Sequence, residues 1–481
     1  MTTALETVYR SGEFHSFEAE GEKFLYLVPA GAIFQVDQAV EKLFSCLDIN
    51  GTPHGQLIDE LVSRGLTALD AEELVAEMFH ANVITTDGAV AERPVSPPAV
   101  FPLQTLVMNL TNQCNLSCQY CYEFGADKVA TPEGKPKFMD LPTAKASVDF
   151  LLAQAEGRRS VHITFFGGET LMNFPLLKQV VAYATEQAHL KGCKVDFSLT
   201  TNATLLTPTI IQFLSEHRIG VTVSMDGPKE MHDQLRVFSN GKGSYDIIAP
   251  KVRELIQNHR TRPITARVTL TAGVTDVVRI FRHLKQDLGF HEIGFAPVTT
   301  SPNQLYAINE PGMNSVLDQF HLLAKEYLEY ALRGESHGFS NVSDTLAELC
   351  QGVNKSHPCG AGLGLMGVGP SGDIAPCHRF VDSDQHALGH ISTGIDAEKQ
   401  RDFLSRGHID SKYDCHTCWA RPLCAGGCHH EAFVRYGDTG HPNLHYCDWI
   451  RDWTNLCLEI YGAIAAKNPE FLQQFAERKA S

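Results

Sequence analysis

The chain has 481 residues, 43% hydrophobic and 20% charged, with 40 basic against 56 acidic residues and a formal charge of −16. That length points to two or three domains, and the acidic balance counts against nonspecific binding to nucleic acid or anionic membrane. No apolar stretch follows a basic start and no run of about 18 apolar residues occurs, so the chain is expected to be cytoplasmic, without signal or membrane span.

Residues 13–36 alternate like short strands (14–17, 24–28, 33–36) and turn at Gly21. Helical periodicity follows near 38–48, 55–64 and 70–81, and 83–85 reads as a closing strand. Residues 1–86 therefore predict a small winged-helix-like domain. Residues 87–102, with Pro94, Pro97, Pro98 and Pro102, read as an extended linker. Between 103 and 335, strands at 104–110, 161–166, 195–200, 220–225, 265–271 and 293–298 alternate with helical patterns. This α/β alternation predicts a parallel sheet, and six units are too few for an eight-stranded barrel, so a partial (β/α)6 barrel is expected. Residues 336–481 lose the alternation and become rich in Cys, Gly and His, as metal-organised loops would, before amphipathic helices near 448–464 and 468–479.

In a reducing compartment, 14 cysteines suit metal or catalytic use better than disulfides. Cys46, Cys193, Cys350 and Cys457 stand apart and read as small buried residues. Cys114, Cys118 and Cys121 follow the apolar run 106–110 at x3 and x2 spacing. Three thiolates hold three irons of a [4Fe–4S] cubane and leave the fourth for another ligand. Zinc is the alternative, with one position left to fill. The loop resembles that of the radical S-adenosylmethionine (radical SAM) enzymes. The resemblance implies a SAM-binding [4Fe–4S] cluster on these cysteines, Tyr120 against the adenine, and hydrogen abstraction by a 5′-deoxyadenosyl radical.

Phe165-Phe-Gly-Gly-Glu169 closes the second strand. Glycines permit close approach of a ligand to the backbone, and a carboxylate can accept from an ammonium; a plain strand-to-helix turn is the alternative. By resemblance, Gly167, Gly168 and Glu169 cradle the methionine amino group. Asn202 ends the third strand, and Ser224 and Asp226 end the fourth, where barrel side chains face an active site. The resemblance implies Ser224 and Arg236 on SAM and Asn202 near its ribose. Asp226 is a candidate general base or substrate contact, with Asp233 as runner-up; a helix N-cap is the other reading of Asp226.

A second set reads Cys415-x2-Cys418-x5-Cys424-x3-Cys428 and then Cys447, with Cys359 and Cys377 upstream. These seven resemble the SPASM domain of radical SAM maturases, which binds two auxiliary [4Fe–4S] clusters. By that resemblance Cys415, Cys418, Cys424 and Cys447 ligate one cluster, and Cys359, Cys377 and Cys428 ligate the other. Some members carry a further cysteine where this chain has Leu365, so the inner cluster is left an open iron or an unidentified ligand. A zinc ribbon on Cys415, Cys418, Cys424 and Cys428 is the alternative, and it strands the other three. His378, His390, His408, His416, His429, His430, His441 and His445 crowd this region and read mainly as surface or loop residues without an assigned role.

Such proteins mostly modify peptides. Sulfatase-maturing members carry an Asp after the cysteine aligned with Cys377, whereas this chain has His378, which counts against formylglycine formation. The strands-then-helices N-terminal region is similar to peptide-recognition domains, which add a peptide strand to a sheet edge; a packing or dimerisation domain is the alternative. The stretches 14–21, 26–31 and 121–125 resemble maturation proteins of quinohemoprotein amine dehydrogenases. That resemblance implies thioether bonds from Cys sulfur to a methylene carbon of Asp or Glu in a dehydrogenase small subunit. It also implies a reductant such as flavodoxin or ferredoxin. Carbon–carbon crosslinking, decarboxylation and a noncatalytic metal-binding adaptor are the other readings.

Overall fold

The computed structural model describes residues 7–86 and 101–477. Most of the expected proline-rich linker thus lies outside the described residues. After β1 (Val8–Ser11), strands β2 (Phe14–Ala19), β3 (Glu22–Leu27) and β4 (Ala32–Val36) form an antiparallel sheet in the order β2-β3-β4. Successive side chains of a strand point to opposite faces. Phe24 and Tyr26 accordingly join the main core, while Leu25 and Leu27 join a second core with the helices Gln38–Cys46, His54–Ser63 and Ala68–His80. Asp37 and Thr67 cap the first and third of these helices through Val40 N (2.9 Å) and Asp70 N (3.1 Å). β5 (Thr52–Pro53) and β6 (Ile84–Thr86) flank β1 in a small second sheet. β1 and β5 escape a periodicity reading because strands so short carry almost no alternation.

The main-core face of β2 and β3 rests on the helix Cys447–Lys467. Gly462 makes this contact close: a Cβ there would stand 2.9 Å from Ala19 Cβ and 3.1 Å from the Phe24 ring. His15 stacks on Trp419 with centroids 3.6 Å apart and bonds Asn455 at 2.7 Å, and Glu13 pairs with Arg421. The first and last parts of the chain are therefore packed together.

In the centre, β7 (Thr105–Asn109), β8 (Ser160–Phe166), β9 (Lys194–Thr201), β10 (Gly220–Ser224), β11 (Ile264–Leu270) and β12 (Glu292–Pro297) pair in parallel in chain order. The run does not close on itself. β7 pairs onward with β13 (Leu365–Val368), followed by β14 (Asp373–Ala375), β15 (Gly389–His390) and β16 (Gly394–Ile395). These four strands lie in the region expected to lack alternation, and they too are short.

Strands of a parallel sheet normally face helices on both sides and read as continuous apolar runs. β8 to β11 alternate instead. Val161, Ile163, Phe165, Val221, Val223, Ala266 and Val268 are buried in the core, while Thr164, Thr200, Thr222, Ser224, Thr265, Arg267 and Thr269 occupy the other face. One face of the sheet is thus kept for a polar cavity. Among the described residues, no helix is long and apolar enough to cross a membrane.

Candidate active site

The cysteine loop after β7 is pinned on two sides. Ser117 N–H donates to Val237 O at 2.7 Å and Gln119 N–H to Leu235 O at 3.1 Å. From the other side Gly168 N–H donates to Thr111 O at 3.0 Å and Glu169 N–H to Gln113 O at 2.9 Å. A Cβ on Gly167 would lie 2.3 Å from Thr111 O, and one on Gly168 would lie 2.2 Å from Gln113 O. Gly167 also has φ of 134°, a region that side chains disfavour. The backbone leading into the cysteine loop presses closely on these glycines. Burial pushes Cys114 up to about 12 and Cys121 up to about 11, and it raises Cys118 as well. All three thiols line one cavity, an arrangement that fits an iron–sulfur cluster, whose bound cations would deprotonate thiols that burial keeps neutral.

The loop borders a cavity of about 480 Å³. Tyr120, Gly167, Gly168, Glu169, Asn202, Ser224 and Arg236 all line it, together with the inward residues Phe166, Thr200, Thr222, Arg267 and Thr269. Glu169 Oε1 accepts from Leu171 N (3.1 Å) and Thr201 Oγ1 (2.7 Å), and Oε2 accepts from Asn202 N (2.8 Å). Burial raises its pKa against these three donors. The Asn202 amide donates to Asn115 Oδ1 at 3.0 Å and approaches Cys114 Sγ at 3.8 Å, so it steadies the loop. Arg236 is buried, and its Nε has no hydrogen-bond partner among the described residues. An unpartnered guanidinium N–H on the cavity wall fits an anionic group such as the carboxylate of SAM.

Asp226 sits behind this wall. The Tyr120 hydroxyl donates to Asp226 Oδ2, Arg236 Nη1 donates to Tyr120 Oη at 2.6 Å, and Arg236 stands 3.9 Å from Oδ2. Thr269 N–H donates to Oδ1 at 2.9 Å. Asp226 N–H donates to His232 Nδ1 at 3.2 Å, and His232 Nε2 meets Ser244 Oγ at 2.9 Å. The Ser244 hydroxyl in turn donates to Arg236 O at 2.8 Å. Burial holds His232 well below its ordinary value, so the ring is neutral with its proton assigned to Nε2. The carboxylate thus connects Tyr120 and Arg236 and is not among the residues that line the cavity. Nor is Asp226 a helix N-cap, because the next helix begins at Lys229 after Pro228. Asp233 Oδ1 accepts from Tyr245 N at 2.9 Å at the start of the helix Tyr245–Asn258, also away from the cavity lining.

Several lining residues were not expected: Tyr122, Glu123, Arg267, His378 and Arg379. Burial, then the charge of Asp382, raises Glu123 to about 8. Arg267 had a signal in the sequence, a charge at a strand position flanked by apolar neighbours. Tyr122 and Arg379 had none, because turns separated by some 250 residues meet only in the fold.

Ten cysteines sort into three groups whose members feel one another's charge. Besides Cys114, Cys118 and Cys121, Cys415 is raised to about 11 by burial and then by Cys424, with Cys418 and Cys447 adding. Cys377 is pushed up to about 12 by burial and then by Cys428, with Cys359 adding. The charge of Cys428 is felt by both members of the upstream pair, Cys377 and Cys359. Among the described residues, no trio of His, Cys, Asp or Glu is close enough to hold one metal ion. Cluster thiolates each bond a separate iron and so stand farther apart. Lys412 is buried between the two downstream groups; its Nζ donates to Ala425 O at 3.0 Å and feels Cys415, Cys424, Cys359 and Cys428. Leu365 N–H donates to Gly360 O at 2.8 Å, which keeps Leu365 beside the Cys359 turn. Of the eight histidines of this region, His408, His429 and His430 are buried, while the other five are partly or fully exposed. Cys46 and Cys457 are buried as expected, while Cys193 and Cys350 are half-buried.

Residues 108–303 match the Radical SAM superfamily model. The chain is 26% identical over 372 residues to the serine-type anaerobic sulfatase-maturating enzyme of Bacteroides thetaiotaomicron, covering 73% of this chain and 87% of that protein. Its fold is similar to that of native anSMEcpe with bound AdoMet, with TM-score 0.64, 20% identity, and 76% and 100% of the two chains covered. It is also similar to Streptococcus suis SuiB bound to precursor peptide SuiA, with TM-score 0.50, 14% identity, and 91% and 99% covered.

Proposed function

We propose that this protein is a radical SAM/SPASM maturase that forms thioether crosslinks within a polypeptide, from cysteine sulfur to a methylene carbon of Asp or Glu. The polypeptide in this reading is the small subunit of a quinohemoprotein amine dehydrogenase, and the electron donor is a flavodoxin or ferredoxin. The domains are residues 1–86 for peptide recognition, 103–335 as a partial (β/α)6 barrel, and 336–481 as the SPASM domain. The observation that carries the reading is the sorting of ten cysteines into one trio beside the cavity and two further groups. Joining a C–H carbon to a thiol sulfur removes two hydrogens and leaves an electron to be carried away, a task for which extra clusters are suited. When bound, SAM and the clusters supply hydrogen-atom abstraction and electron acceptance.

The protein's own residues bind and orient. Cys114, Cys118 and Cys121 hold the SAM-binding cluster; Cys415, Cys418, Cys424 and Cys447 hold one auxiliary cluster; Cys359, Cys377 and Cys428 hold the other. Tyr120, Asn202, Ser224, Glu169 and Arg236 receive SAM, and Asp226 orients Tyr120 and Arg236. β4 supports peptide recognition, because it forms an edge of its sheet and carries the partly exposed Phe34. Similarity to sulfatase-maturating enzymes favours formylglycine formation as the second reading. Against it, His378 stands where those enzymes are expected to carry an Asp as base, and burial lowers its ring to about 3.

The test is the intact mass of the small-subunit polypeptide co-expressed with this protein or with the Cys114/Cys118/Cys121→Ala variant. Loss of two hydrogens per bond, with cysteines that no longer alkylate, supports the reading. Unchanged mass alongside active SAM cleavage rejects the substrate.

A further inference from the structure

Two arginines, Arg267 and Arg379, face the cavity from separate elements. Arg267 occupies an inward position of β11 between Thr265 and Thr269, and Arg379 lies in the turn His378–Phe380. Arg267 is open to solvent within the cavity yet walled by protein, so desolvation lowers its pKa and the like charge of Arg379 lowers it further. The charge of Asp344 opposes this. Arg379 lays its guanidinium over the Tyr122 ring, 4.8 Å from the centroid, which leaves its N–H edge for a ligand. Two like charges brought together in a partly desolvated cleft repel unless an anion joins them.

We propose that Arg267 and Arg379 form a clamp for a carboxylate of the peptide substrate, namely the side chain of the Asp or Glu that receives the sulfur. The proposal rests on the thioether reading. Guanidinium forks bind carboxylates through paired hydrogen bonds, and a held carboxylate also fixes the methylene carbon next to it. The other anion that enters this cavity is the carboxylate of SAM, for which Arg236 and Ser224 are already placed. The clamp makes acidic side chains, and not their amides, the accepted partners.

The experiment uses the reconstituted holoenzyme with SAM and a short fluorescent peptide carrying one Cys and one Glu, or one Cys and one Gln. Anisotropy is expected to give wild-type affinity for the Glu peptide about 10- to 100-fold above the Gln peptide. Arg267→Gln and Arg379→Gln are each expected to erase most of that preference, with SAM affinity and Gln-peptide affinity unchanged. Arg267→Lys, which keeps the charge but not the fork, retains part of it and controls for folding. Equal wild-type affinities, a preference that survives in both Gln variants, or SAM affinity falling in step with the peptide's would overturn the clamp. Mass analysis of the Glu peptide separates the two ideas. A preference lost in the variants without any loss of two hydrogens in wild type leaves the clamp standing and rejects thioether formation.

Discussion

Asp226→Asn separates a base from a positioning residue. In the fold, Asp226 accepts from Tyr120 and Thr269 and neutralises Arg236, with both charged side chains buried. Removing one member of such a pair leaves an uncompensated buried charge, which costs about 3–5 kcal/mol. The amide still offers an oxygen to Thr269 N–H but supplies no charge for Arg236. If only about 1.4 kcal/mol of that cost falls on the arrangement of Tyr120 and Arg236, SAM affinity drops tenfold. The assays are equilibrium dialysis with labelled SAM, 5′-deoxyadenosine formation under dithionite without peptide, and thermal unfolding. The expected result is weaker SAM binding, slower SAM cleavage and a lower melting temperature together, with Asp226→Ala more severe. SAM binding and cleavage within twofold of wild type, with crosslinking alone lost, would refute the reasoning and restore Asp226 as a base.

Gly168→Ala places a Cβ against Gln113 O at 2.2 Å, a backbone clash that no rotamer relieves; iron analysis should show loss of roughly a third of the bound iron, the share of one cluster in three. Cys447→Ala is expected to strip the cluster of Cys415, Cys418 and Cys424 in Mössbauer spectra, whereas a zinc ribbon would leave this variant's metal content intact. His337 is buried and stacked on Phe281, with its ring pKa lowered to about 4, first by desolvation. Because the folded pKa is depressed, its contribution is present above the unfolded value near 6.5 and is lost as pH falls toward 4. Wild-type stability to urea should therefore fall by about 2 kcal/mol more than that of His337→Gln between pH 7 and pH 5.

Of the central strands, β8 to β11 were legible because each carries its own alternation over five to eight residues, and β7 because it is a short apolar run, both local properties of the chain. The cysteine loop was legible for the same reason, since ligand spacing within a loop is itself sequence. What the glycines after β8 are for was not, because the backbone they touch at Thr111 and Gln113 lies more than fifty residues earlier. The role of Asp226 also depended on distant partners, Tyr120 and Thr269, which only the sheet brings to it. Periodicity could not reveal β13 to β16, since strands of two to four residues hold no period. Residue types and spacings alone thus determined the two clustered cysteine patterns and the parallel α/β core. Tertiary structure decided which charges face the cavity, that Arg267 and Arg379 line it together, and that the N-terminal sheet rests on the helix Cys447–Lys467. The physical reason is that local periodicity is written along the chain, whereas desolvation and charge pairing arise only when distant segments come together.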